Sequence, residues 1–295
     1  MSSSRVLCCQ SAAVAARLRR NAKPQRVPGG VEAPAAGGNR HTWLRWWSEA
    51  DNADALHTLV AMPWADVHSV DASQRTALHR AVRRHDAVSV RLLLSLGLDV
   101  DAVDIHRQTP LLLLLSRSEP SMSVLSLLLE AGADVEAADE RCVPLTYCAR
   151  HGSLDALQLL LQHSQARATA LLETPDPEGR TATFWAATEG QLACLDALLV
   201  AGASVDAPSI MGVTPLRAAV SRGGADRHAV VTRLLEAGAL VHGAQRGAAN
   251  SWGAPSARAH RNLIDVALSV HGDAQLAELL ATYAARQGVR AEGTL

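Results

Sequence analysis

The chain has 295 residues, 48% hydrophobic and 19% charged, which supplies a sizeable core and excludes a chain that is disordered throughout. Its net charge of −1 excludes a global electrostatic pull toward nucleic acid or an anionic membrane. Five cysteines with no CxxC pair support neither a zinc ribbon nor a disulfide framework, and an Ala-, Leu- and Val-rich chain with only 3% aromatics predicts an all-α fold.

Residues 1–40 form a basic segment. Arg5, Arg17, Arg19, Arg20, Lys23 and Arg26 all precede the first acidic residue, Glu32, in a Ser- and Ala-rich background. This composition fits an organelle transit peptide and a solvated basic tail equally. The expected location is cytoplasmic, with the mitochondrial matrix as the alternative. Pro24–Gly38 reads as linker. The folded domain is expected over 41–283, with 284–295 as a C-terminal tail. No apolar run approaches the roughly 18–20 residues of a membrane span.

Two blocks then alternate along the chain. Ser48–Asp71, SEADNADALHTLVAMPWADVHSVD, reads as a worn first copy. RTALHRA (75–81), QTPLLLL (108–114), VPLTYCA (143–149), RTATFWA (180–186) and VTPLRAA (213–219) each predict the start of a short helix. LLLSLGLDVDAVD (92–104), LLLEAGADVEAAD (127–139), LLVAGASVDAPS (198–209) and LLEAGALVH (234–242) predict a second helix ending at glycine, followed by a turn. Thr76 and Thr109 lie 33 residues apart, as do Thr181 and Thr214. A threonine there caps a helix start, and the proline after it (Pro110, Pro215) sits where no N–H partner is needed. Gly152 and Gly190 are placed to end the first helix.

The fourth copy departs from the pattern: Ser164 stands where the glycine is expected, and QARATALLETPD (165–176) replaces the hairpin. Further insertions fall at Gly224–Arg227 and within 243–261, and Asn262–Tyr283 reads as a terminal cap. Both ends included, about seven units are expected.

The period and the T-P-L-H-x-A signature, best preserved in RTALHRA, resemble the ankyrin-repeat family over about residues 48–283. The resemblance implies an ankyrin-repeat solenoid of helix-turn-helix units with projecting hairpin loops. It also implies a non-enzymatic scaffold that recognises another protein. His79 then becomes a buried link between neighbouring repeats, since Leu112, Thr146, Phe184, Arg217 and Asp265 stand at its equivalents and cannot form a recurring metal or acid–base site. His85 falls at the turn and is expected to be exposed. Cys148 and Cys194 read as small buried hydrophobes, and Cys142, in a hairpin, as the most exposed of the three. No catalytic residue, metal ligand or cofactor-binding motif is expected.

In the family the end of the first helix lines a concave groove. Arg83, Arg84, Arg117, Arg150, His151 and Arg222 fall there, and Arg75, Arg107, Arg141 and Arg180 add hairpin charges near each helix start. Two accounts of this ladder stay open: an arginine-biased composition on a solvated face, and a groove for an acidic partner segment, which guanidinium forks bind bidentately. An RNA- or ribonucleoprotein-associated subunit, possible in an organelle, is the alternative function. It would call for stacking aromatics, and on that side only Phe184 and Trp185 qualify.

Overall fold

Thirteen helices make up the regular structure among the residues described by the computed structural model, namely Leu56, 66–164, 168–222, 226–241, 263–271 and 273–287. Most of the worn first copy and the 243–261 insertion therefore lie outside the described residues. No strand occurs among the described residues. The chain divides into two units, residues 1–139 and 140–295.

In the first unit, α1 (Ala77–Arg83) and α2 (Ala87–Ser95) form one helix pair, and α3 (Pro110–Leu115) and α4 (Met122–Glu130) the next. The first helices of the pairs pack on each other, and so do the second helices, giving an inner row α1–α3 and an outer row α2–α4. The tripled leucines serve both neighbours. Leu78, Leu93, Leu111, Leu112, Leu114, Leu125 and Leu128 are fully buried, each worth about 1.5–3 kcal/mol of transfer energy. One pair could not bury this surface alone, so the shared core exists only because repeats stack.

The second unit repeats the plan. Its inner row is α5 (Pro144–His151), α8 (Ala182–Glu189), α10 (Pro215–Arg222) and α12 (Leu263–His271), and its outer row is α6 (Leu154–His163), α9 (Leu192–Val200), α11 (Arg227–Glu236) and α13 (Ala274–Arg286). Between α6 and α8 lies a short extra helix, α7 (Ala168–Leu172). The segment expected to be a replaced hairpin thus carries a helical turn that buries Leu171 and Leu172. Ser164 substitutes for the missing glycine by bonding its hydroxyl to the Leu160 carbonyl at 2.7 Å.

The caps act as the sequence predicts. Thr109, Thr181 and Thr214 accept the amides of Leu112, Phe184 and Arg217 on their hydroxyls, contacts typically worth about 1 kcal/mol each. Val143 has no side-chain oxygen to offer, and Thr146 takes over, accepting the Val143 amide at 3.0 Å. Gly152 ends α5 at φ 74°, in the left-handed region. His85 occupies the matching turn after α1 at φ 58°, and it is half-buried rather than exposed because it lies beside Arg117.

Hairpin geometry comes from a recurring aspartate. Asp71, Asp104 and Asp176 each stand five positions before the capping threonine. Each turns its carboxylate back onto two amides of its own hairpin: Ser73 and Arg75, His106 and Gln108, Glu178 and Arg180. Such Asx turns fix the loop through bonds local to the hairpin. Burial would raise the pKa of Asp71 and of Asp104, but the amide donors and the adjacent arginines (Arg80 and Arg75 respectively) outweigh it and hold both below the usual carboxylate range.

Candidate functional site: the arginines of the inner helices

His79 is settled by its hydrogen bonds. Its Nδ1 accepts from the Thr76 amide (3.3 Å) and hydroxyl (3.0 Å), and its Nε2–H donates to the Gln108 carbonyl in the next repeat (3.0 Å). The neutral ring satisfies all three contacts, and burial lowers its pKa. It is a repeat-to-repeat link with no room for a metal.

The cysteines divide differently from expectation. Cys148 and Cys194 are buried as expected; burial pushes both thiols up, Cys194 to about 11. Cys142 is also buried, at 1% exposure. Its hairpin runs from Asp139 to Val143, one residue shorter than the run from Asp104 to Thr109, which draws the residue before the cap inward. No group of His, Cys, Asp and Glu suited to a metal occurs among the described residues.

Among the arginines of the first unit, Arg83 projects from the last turn of α1 and makes no ion pair among the described residues. Partial burial lowers its pKa, and the positive charges of Arg75, Arg80 and Arg117 lower it further. Arg75 and Arg80 are themselves paired with Asp104 and Asp71, so Arg83 and Arg117 are the members of this cluster without a carboxylate among the described residues. Arg84 caps the C-terminus of α1, half-buried. Arg117, just past α3, donates to His85 Nε2 at 3.4 Å. Arg75 reaches forward to Asp104 (3.1 Å), and Arg107, exposed at φ 59°, lies at the hairpin turn away from that cluster's contacts.

In the second unit the arginines gather around one aromatic ring. Arg150, in the last turn of α5, lies over Trp185 of α8 with its guanidinium carbon 4.6 Å from the ring centroid, and Arg180 lies 4.3 Å from the same ring. Arg180 is held by Asp176 at 2.8 Å and Glu178 at 2.7 Å. The Trp185 indole N–H donates to Asp176 at 3.0 Å. His151 stacks on Tyr147, ring centroids 6.2 Å apart. Arg222 pairs with Glu189 at 2.8 Å, so the one acidic residue on the stripe neutralises one of its arginines. Phe184 and Trp185 are both buried, so neither offers the open stacking face that bound RNA bases need.

A family model described as "Ankyrin repeats (3 copies)" matches residues 44–139, 89–171, 114–209 and 145–245. The chain belongs to the ankyrin-repeat family. Human inversin is 30% identical over 139 residues, 47% of this chain and 12% of that protein. Human ankyrin repeat domain-containing protein 63 is 33% identical over 137 residues, 43% of this chain and 35% of that protein. The mouse B-cell lymphoma 3 protein homolog is 35% identical over 181 residues, 59% of this chain and 38% of that protein. The chain thus spans well under half the length of these relatives. Among solved structures, the human ASB11 ankyrin repeat domain superposes with a TM-score of 0.60 at 24% identity, covering 82% of this chain and 96% of that one. An ankyrin repeat domain from Acinetobacter baumannii gives 0.58 at 23% identity, covering 68% and 100%. At those identities the likeness speaks to fold alone. Ankyrin repeats are protein–protein interaction modules, typically non-enzymatic. No described helix is long and apolar enough to cross a membrane.

Proposed function

We propose that this chain is a non-enzymatic recognition scaffold that binds an acidic segment of another protein through arginines at the ends of its inner helices. The observation that carries this reading is Arg83, which has no ion pair among the described residues and lies near Arg117, which meets no carboxylate among them either. Arg75 and Arg80 are paired with Asp104 and Asp71, whereas Arg83 and Arg117 meet no carboxylate among the described residues. Carboxylates from outside can complement these two, and each fork can grip one bidentately. Rigid helices present these side chains, so a few anchors supply most of the affinity.

The test is binding of a fluorescent decaglutamate peptide to the intact chain and to a variant with Arg83, Arg84, Arg117, Arg150 and Arg222 changed to Glu. The expected result is saturable binding lost in the variant, together with loss of captured partners from native lysate. Equal binding by both chains overturns the reading. An RNA-associated role is tested alongside with a labelled single-stranded RNA. Binding whose affinity falls steeply with salt would favour that alternative. The tail expected from residue 284 begins later, because α13 runs to Arg286, buries Ala284 and is followed by Gln287, which bonds Ala239 and Val241. Residues 1–40 and those after 287 are proposed to flank the repeat domain, and N-terminal sequencing of the mature protein decides between cytoplasm and mitochondrial matrix.

A further inference from the structure

The second unit holds a cleft of about 270 Å³ whose walls include Glu140, Arg141, Arg150, Glu178, Arg180 and Trp185. Its floor is rigid by construction. The Asp176 carboxylate, fully buried, accepts from the Trp185 indole N–H (3.0 Å), from Arg180 Nε (2.8 Å) and from the amides of Glu178 and Arg180. One buried anion thereby fixes both the ring and the first guanidinium. The second guanidinium, Arg150, is half-buried over the same ring and meets no carboxylate among the described residues.

This arrangement restricts what the cleft can take. An indole face attracts cations, but here two guanidinium groups already lie against it, which leaves no face for a methylated lysine or other cationic guest. A cation–π contact uses the flat face of the guanidinium and leaves its N–H edge able to donate. Arg180 has carboxylate partners, Asp176 and Glu178, whereas Arg150 has none among the described residues. The volume is below the roughly 300–1,000 Å³ of small-molecule sites, and suits a single side chain.

We propose that this cleft is an anchor pocket for one glutamate or aspartate side chain of the partner, gripped by Arg150 over Trp185. The inference rests on the acidic-partner reading and assigns that reading a place. Glu140, exposed at the same cleft, acts against the incoming carboxylate and sets its affinity.

The experiment titrates decaglutamate into the ¹⁵N-labelled full chain and follows the Trp185 indole N–H, assigned by its absence in Trp185→Phe. The expected result is a saturable shift of that signal. Arg150→Gln should weaken binding by about tenfold, and Glu140→Gln should tighten it by roughly threefold, as removal of a like charge requires. Arg150 is half-buried in the last turn of α5, and Gln keeps part of its stem; an unchanged remainder of the spectrum verifies that the fold is intact. If decaglutamate binds but the indole stays still and Arg150→Gln is without effect, the pocket is overturned while the acidic-partner reading stands. If decaglutamate does not bind at all, both fall together. A phosphoserine peptide that binds more tightly than decaglutamate, with the same dependence on Arg150, overturns the assignment to a carboxylate.

Discussion

Arg75 and Arg180 each stand directly before the threonine that starts an inner helix, one in each unit, yet their guanidinium groups take different directions. Arg75 reaches forward to Asp104 of the next hairpin, and Gln108, at the same place one repeat on, does likewise with Asp139 at 2.9 Å. Arg180 turns back onto Asp176 of its own hairpin and lies against Trp185. Two positions account for the difference: Ser209 stands in the hairpin ahead of Arg180 where Asp104 stands ahead of Arg75, and the residue nine after the hairpin aspartate differs. In the first unit that residue is Arg80 after Asp71, which ion-pairs with Asp71 at 2.8 Å. In the second it is Trp185 after Asp176, a flat ring with one donor, which leaves its face for cations. One repeat position therefore stitches hairpins together in one unit and builds a pocket in the other.

Removing the hairpin aspartates should break that comparison most forcefully. Asp176→Ala strands an indole N–H and two amides and removes the buried one of Arg180's two carboxylate partners, and should lower the unfolding free energy by about 3–5 kcal/mol in urea denaturation. Asp104→Ala strands Arg75 and two amides but no indole, and should cost about 1 kcal/mol less. Only the Asp176 variant should also abolish the decaglutamate response. Equal costs, or a retained response, would mean that the two hairpins are equivalent.

The next largest effect is expected at His79, which has no counterpart in the second unit. Its folded pKa is lowered, so on acidification the unfolded chain takes up the proton first, from about pH 6.5 downward. The stability it contributes is complete above that pH and is lost as pH falls toward the folded value. Asp71 and Asp104, also depressed, contribute stability present above the ordinary carboxylate pKa, and lose it only as pH falls below about 4. Urea midpoints should thus decline in two stages. His79→Leu, which places in this repeat the residue that stands at 112 in the next, should cost about 1–2 kcal/mol at pH 7.5 through the lost Gln108 bridge. It should also flatten the upper stage between pH 7 and 5.5. A stage that survives in His79→Leu would assign the titration to another group.

How much of this could be read in advance depends on whether a residue's job repeats. Thr109, Thr181, Gly152 and the leucine runs recur at fixed spacing, and each has one local purpose, so pattern alone predicts them. His79 was legible because its equivalents are chemically unrelated. The aspartate five residues before the threonine also recurs, at 71, 104 and 176, and comparison of the hairpins rather than the helices would have found it. Cys142 was misplaced because a single-residue deletion changes which way a hairpin residue faces. The Trp185 cluster was out of reach for a different reason: it joins residues 150, 176, 180 and 185, and no repeat offers a second copy from which a rule could be learned.

The smallest expected effect concerns Arg222, and it separates charge from anchoring. Arg222 and Arg150 both end inner helices of the second unit, but Arg222 is more than half exposed and already paired with Glu189. An exposed pair of this kind contributes about 0–1 kcal/mol, so Arg222→Gln should leave the urea midpoint almost unchanged. Its loss also frees Glu189, so the local charge changes by one unit without removing an available guanidinium. Decaglutamate affinity should fall by less than about twofold, mainly through a slower association that disappears at high salt. Arg150→Gln should instead speed dissociation at every salt concentration, because it removes a contact rather than a field. If both variants act alike and salt erases both effects, the arginines work only as a diffuse positive surface and Trp185 has no special part in recognition.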